Sequence, residues 1–130
     1  MRALPWRKLL ILYVLTVPLF GAGTANELSE YLESYREGAN AGNPKDQYNL
    51  GASYRWGVNV PRDPALAITW IKKSAEQDYS LAERALGEML ERGEGVAPNG
   101  TQALLWYKRA ARHGDQLAAD SAARLEAKRK

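Results

Sequence analysis

The sequence predicts an all-α fold, a short α-solenoid built from antiparallel helix pairs. The first observation is an internal repeat, because a shift of 36 positions places Leu50 on Leu86 and Gly51 on Gly87. A fixed period of this size is typical of helical repeat arrays. The second observation is that apolar residues recur at helical spacing between glycine-containing turns. The same shift superposes further pairs: Gly57 and Gly93, Val60 and Val96, Ala67 and Ala103, Trp70 and Trp106, Lys72 and Lys108, and Ala75 and Ala111.

Residues 1–25 are predicted to be a secretory signal peptide. Basic residues precede an apolar run, residues 9–20, and small residues follow it up to Ala25, where we expect cleavage. Twelve helical residues cover about 18 Å, whereas the hydrocarbon core of a bilayer is about 30 Å thick. Cleavage and export to the periplasm or the medium are therefore expected. The alternative is an uncleaved segment that anchors the protein to the inner membrane.

The charge balance gives no reason to expect a nucleic-acid partner. The chain has 18 Lys and Arg against 15 Asp and Glu, and the three excess positive charges are Arg2, Arg7 and Lys8, inside the signal segment. Residues 26–130 are therefore neutral, without a global field that would attract phosphate. The sequence has no cysteine, which excludes thiol catalysis and cysteine metal sites. Packing alone must hold the domain.

Residues 26–40 are predicted to form the first helix. Leu28, Tyr31, Leu32 and Tyr35 are separated by three, one and three positions, which is an apolar stripe at the helical period. A stretch with glycine and proline follows and separates this helix from the next.

The first helix pair is predicted to extend from Pro44 to about Gln77. Its first helix ends near Trp56 and contains Gly51, where glycine costs about 1 kcal/mol relative to alanine. That glycine is explained if another backbone packs closely against it. Asp63 and the proline after it favour the start of the second helix. This helix is expected to bury four residues: Ala67, Ile68, Ile71 and Ala75.

The second pair repeats this plan. Helices are predicted from about Leu81 to Arg92 and from about Thr101 to His113, with a glycine-rich turn between them. A last helix, residues 115–128, carries apolar residues on one side: Leu117, Ala118, Ala122 and Leu125.

The domain, residues 26–130, is thus predicted to contain two full repeats, about residues 46–81 and 82–117. Helices 26–40 and 115–128 take the places of a preceding second helix and a following first helix. We interpret them as capping helices, because terminal repeats need a polar outer face. The first is rich in glutamate, and the last ends in lysine and arginine.

The repeat resembles the Sel-1-like repeat, a relative of the tetratricopeptide repeat. The resemblance covers about residues 38–118. The first copy departs from the family pattern at Asn59 and Asp78, where glycine is preferred, and at Ser74, where alanine is preferred. The matching residues of the second copy are Ala82, Leu86, Gly87, Leu90, Gly93, Gly95, Val96, Ala103, Trp106, Tyr107, Ala110, Ala111, Gly114 and Ala118.

The resemblance implies a superhelical adaptor that binds proteins or peptides and has no chemistry of its own. The residues agree, since the single histidine, His113, has no second histidine to form a catalytic or metal-binding set. Carboxylate pairs such as Glu88 and Glu91 share helix faces with Arg84 and Arg92, an arrangement typical of surface ion pairs. We therefore predict no catalytic residue, no cofactor and no metal site.

A partner is expected along the first helices of the repeats, which line the concave face in tetratricopeptide-type arrays. Trp56 just before the turn is expected to pack on the N-terminal helix, or alternatively to form an exposed binding anchor. The alternative for the whole set is an ordinary solvated helix face. The candidate groove residues are Tyr48, Arg55, Trp56, Arg84, Glu88, Glu91, Asp120 and Arg124.

The sequence therefore predicts a non-enzymatic scaffold that binds another protein or peptide of the cell envelope. One alternative is an accessory enzyme that processes cell-wall or peptide material through surface carboxylates. A second is a structural envelope protein that associates with itself, since only two full repeats are present. The oligomeric state is left open.

Overall fold

The computed structural model describes residues 25–130, which form six α-helices and contain no β-strand. Every helix boundary falls within two residues of its predicted position, and the predicted all-α fold class is confirmed. The helices are α1 (Ala25–Asn40), α2 (Pro44–Trp56), α3 (Pro64–Ala75), α4 (Ser80–Arg92), α5 (Gly100–Arg112) and α6 (Gln116–Ala127). None of them combines the length and apolar character needed to cross a membrane.

Side-chain caps begin four of the helices. Asn43, Asp63, Asn99 and Asp115 each accept a hydrogen bond from the backbone N–H three residues later. Such caps satisfy amide groups that have no partner within the helix and contribute about 1 kcal/mol each. The predicted N-cap at Asp63 is confirmed, and these caps fix where each helix starts.

Two glycines bring the helices of each pair into close contact. A Cβ atom on Gly51 would lie 2.6 Å from Cγ1 of Ile71, and one on Gly87 would lie 2.8 Å from the ring of Tyr107. Both distances are too short for a methyl group. The interpretation of these glycines as packing positions is therefore confirmed, and α2 packs closely on α3 as α4 does on α5.

The core consists of two clusters of buried side chains. The larger is centred on α4 and α5 and reaches α3 and α6, with Ile71, Met89 and Tyr107 almost fully buried. The smaller joins α1 to α2 through Leu32, Ala39 and Leu50. Ile68 is only partly buried, whereas Ala67, Ile71 and Ala75 are buried as expected.

The two terminal helices bury less than the sequence pattern predicts. Leu28, Tyr31 and Leu117 were expected on buried stripes, yet they are 41%, 62% and 62% exposed. The repeat explains the difference at Tyr31, which is 36 positions before Ala67. That alanine is fully buried, with its helix α3 packed on the first helix of its own repeat. Among residues 25–130, no first helix of a preceding repeat packs against α1 in this way, so Tyr31 is exposed.

Candidate functional site

The predicted groove residues lie on α2, α4 and α6, and most of them bind each other. Arg55 makes the central contact, which joins α2 to α4 and to the turn that follows α4. Its Nε and Nη2 donate to the two carboxylate oxygens of Glu94 at 2.8 and 3.0 Å, and its Nη1 donates to Glu88 Oε2 at 3.1 Å. Arg55 is only 4% exposed. Its guanidinium is therefore a buried structural link between two repeats.

Arg84 continues this chain of ion pairs. Its Nη1 donates to Glu88 Oε1 at 3.0 Å, and its Nε donates to Asp115 Oδ2 at 2.8 Å. Glu88 is thus shared by Arg55 and Arg84, and Asp115 also caps α6. We call the five residues Arg55, Arg84, Glu88, Glu94 and Asp115 the ion-pair ladder. It connects α2, α4 and the start of α6.

Glu91 forms a second bridge, from α4 to α6. Both carboxylate oxygens accept from the guanidinium of Arg124, at 2.7 and 2.8 Å, and the Tyr107 hydroxyl donates to Glu91 at 2.9 Å. Arg124 therefore holds the pKa of Glu91 below its ordinary value. Burial and this hydrogen bond raise the pKa of Tyr107. The charges are again paired within the protein.

The remaining polar candidates are also engaged. The Tyr48 ring packs against that of Tyr79, with ring centroids 5.6 Å apart. Asp120 accepts a hydrogen bond from the Gln116 side chain at 3.3 Å. The structure therefore brings Arg55, Arg84 and Glu88 together and keeps Asp120 apart from them. A partner that used these charges would compete with contacts that join the repeats.

Trp56 is the exception among the candidates. Its side chain is 60% exposed, so the expected packing on the N-terminal helix is wrong. The guanidinium carbon of Arg55 lies 4.7 Å from the centre of its ring, a cation–π contact that holds one face of the indole. Arg55 is in turn fixed by Glu94. The result is a large aromatic side chain presented to solvent on a rigid support.

Sequence reasoning missed a buried ionic cluster at the end of α5. Glu83 is fully buried, and its Oε2 lies 2.7 Å from His113 Nδ1. Its Oε1 lies 2.8 Å from Arg109 Nε without hydrogen-bond geometry. The His113 side chain thus pairs with a buried carboxylate. The repeat relates Glu83 to Gln47, 36 positions earlier, whose polar side chain is buried too.

This cluster is the part of residues 25–130 that could hold a metal ion. Ligand atoms of Asp78, Glu83 and His113 lie within 4.8 Å of one another. However, Arg109 lies between the two acids, with Nη2 2.5 Å from Asp78 Oδ1. A guanidinium at that position repels a cation and is shared between the two carboxylates. The geometry therefore favours a structural ion-pair cluster over a metal site.

Comparison with known proteins agrees with this architecture. The Sel1 repeat family model matches residues 44–79 and 80–115, which begin two residues before the repeats defined from the sequence. A Sel1 repeat protein of Oxalobacter formigenes, known from its crystal structure, is 37% identical with a TM-score of 0.68. The match covers 70% of this chain and 37% of the other. A protective antigen of uropathogenic Escherichia coli that displays the same repeat fold is 30% identical with a TM-score of 0.77. That match covers 93% of this chain and 25% of the antigen.

Curated relatives share the repeats within much longer proteins. Chitin synthase regulatory factor 3 of Schizosaccharomyces pombe is 40% identical over 85 residues, which are 63% of this chain and 9% of that protein. An uncharacterised protein of Neisseria meningitidis serogroup B is 32% identical over 81 residues, 62% of this chain and 16% of that protein. This chain thus spans less than a fifth of the length of either relative.

Proposed function

Because the chain belongs to the Sel1 repeat family, we propose that it is a non-enzymatic scaffold that binds a protein or peptide of the cell envelope. Sel1 repeats typically mediate protein–protein interaction. One relative carries the name of a regulatory factor, which favours a binding role over a catalytic one. The carboxylates that an enzyme would need, Glu88 and Glu91, are bound to arginines. Their engagement weighs against hydrolysis by an acid pair.

The observation that carries the proposal is the exposed Trp56. Burying a tryptophan from water stabilises a complex strongly, and tryptophan is enriched among residues that dominate binding energy. The fold does not require an indole here, since the equivalent position of the second repeat is Arg92, also exposed. We infer that a partner covers Trp56 and extends along α2 and α4 beside the ion-pair ladder.

Site-specific photocrosslinking in intact cells tests this proposal. A photoreactive phenylalanine analogue replaces Trp56 in one variant and Arg92 in a matched control. We expect a discrete crosslinked species with the variant at position 56 and none with the control, and mass spectrometry identifies the partner. Equal crosslinking at both positions, or none at position 56, would reject the proposed anchor.

We also propose export to the periplasm or the medium, because residues 1–25 have the order of charge, apolar run and small residues of a signal peptide. The mature chain would then begin at Asn26. N-terminal sequencing of the protein from an osmotic-shock fraction checks this. A chain that begins at Met1 and stays in the inner-membrane fraction would instead establish the uncleaved anchor.

A further inference from the structure

A second surface, formed by the other set of helices, has the character of a binding groove. It lies between α3 and α5, the second helices of the two repeats. Two cavities of about 490 and 500 Å³ occupy it. Both are lined by Lys72, Gln102 and Trp106. They therefore form one continuous groove that is separate from Trp56 and the ion-pair ladder.

The floor of the groove is apolar. Leu86 and Leu90 of α4 line it from below, and Ile68 of α3 contributes a partly buried side chain. Val96, in the turn before α5, is 40% exposed and lines the same cavity, as does Trp106. An open groove with such a floor can bury a leucine or an aromatic side chain of a partner.

The rim is strongly basic. Five cations line the two cavities against a single acid, Glu76, although the chain outside the signal segment is neutral. An excess of one sign in a neutral molecule selects a partner of the opposite sign and speeds its association. The five cations are Lys72, Lys73, Lys108, Arg109 and Arg112.

Two of these cations have no carboxylate partner among residues 25–130. Arg112 makes no ion pair there, and the Lys73 ammonium lies 4.4 Å from the centre of the Trp70 ring without an acid within reach. The Lys72 Nζ atom lies 3.9 Å from Glu76 Oε1, which is a long distance for an ion pair, and both side chains are more than half exposed. Their pairing is therefore weak, and the groove carries positive charge that is not neutralised within residues 25–130.

We propose that this groove binds an acidic protein segment that inserts a bulky apolar side chain between α3 and α5. The apolar lining favours a peptide over nucleic acid, because a phosphate backbone would satisfy the rim and leave Val96 and Leu105, which are 40% and 62% exposed, in contact with water. The segment would place carboxylates against Lys73 and Arg112 and an apolar side chain beside Trp106. This site is additional to the proposed one at Trp56.

Selection from a random 12-residue peptide library displayed on phage tests the groove with purified residues 26–130. We expect the enriched peptides to carry a net charge of about −3 or lower and at least one leucine or aromatic residue. The affinity of a synthetic copy is then measured by fluorescence polarisation. The variant Lys73→Glu with Arg112→Glu should bind it at least tenfold more weakly.

Two matched variants locate the binding. Lys45→Glu reverses an exposed charge on α2, outside the groove, and should leave the affinity within twofold of wild type. Trp56→Ala should do the same, which separates this site from the proposed anchor. Circular dichroism verifies that the variants are folded. Both reversed residues of the groove variant are exposed, so its helical content should match that of wild type.

Several results would overturn the proposal. These are enrichment of neutral or basic peptides, no enrichment at all, and equal affinity of the groove variant and Lys45→Glu. Displacement of the peptide by polyadenylate at equal phosphate and carboxylate concentration would indicate a nucleic-acid surface instead. Concentration-dependent association in sedimentation velocity, abolished by the groove variant, would show that the occupant is a second copy of the chain.

Discussion

Gly87 shows how closely the helices of one repeat approach each other. The missing side chain leaves room for the Tyr107 ring, as Gly51 leaves room for Ile71. A glycine in the middle of a helix destabilises the helix by about 1 kcal/mol relative to alanine. The closer packing of the two helices offsets that cost, so the same exception to helix propensity occurs in both repeats.

Gly87→Ala should therefore destabilise the protein. The new methyl group would lie 2.8 Å from the Tyr107 ring, and forced overpacking of this kind costs about 1–3 kcal/mol. Gly100→Ala is the matched control, because a Cβ atom there meets nothing within 4 Å. Urea denaturation of both variants gives their free energies of unfolding. Equal stability of the two variants would show that the close contact at Gly87 is unimportant.

The structural role of a residue could be predicted where the same residue type recurs in both repeats. The role of a residue that occurs in only one repeat could not be predicted. The two glycines were recognisable because each appears at the same position of its copy. The pairing of Glu83 with His113 joins residues 30 positions apart, and nothing in a single sequence specifies such a contact. Trp56 was misjudged for a similar reason, since its exposure depends on which side chains the neighbouring helix presents.

At the level of helices, the ion-pair ladder joins one repeat to the next. Arg55 of α2 binds Glu94, in the turn after α4, with two hydrogen bonds. This contact lowers the pKa of Glu94 below its ordinary value of 4.5. A carboxylate with a lowered pKa in the folded state stabilises the protein above its unfolded pKa. That stabilisation is lost as the pH falls through the lowered value.

The free energy of unfolding should accordingly decrease as the pH is reduced below about 4.5, where the unfolded chain takes up protons before the folded one. Glu94→Gln removes one of the responsible groups and should flatten this dependence, with a lower stability at pH 7. Urea denaturation between pH 7 and pH 3 measures both effects. Glu76→Gln, at an exposed and weakly paired position, should keep the wild-type slope. The same slope in Glu94→Gln would contradict the assigned role of the ladder.

Helix positions followed from caps and turns, which are local and therefore visible in the sequence. The faces that the terminal helices bury were harder to predict. Leu28 and Leu117 lie on apolar stripes, but burial requires a neighbour, and α1 packs mainly on α2 whereas α6 packs mainly on α5. The groove between α3 and α5 was missed for the same reason, since its lining comes from three helices and a turn.

At the scale of the whole molecule, residues 26–130 are neutral overall but their charge is unevenly distributed. The acidic α1 is at one end, the basic groove is between α3 and α5, and the first-helix face has its charges paired internally. An exposed tryptophan on this molecule is therefore the feature that most directly indicates a partner.

The proposed binding role of the protein depends on the exposed Trp56 side chain. The affinity of the crosslinked partner for purified residues 26–130, measured by isothermal titration calorimetry, tests it most directly. Trp56→Ala should weaken binding about 30-fold, corresponding to about 2 kcal/mol, whereas Arg92→Ala should change it less than threefold. A Trp56→Ala variant that binds as tightly as Arg92→Ala would show that Trp56 does not anchor the partner.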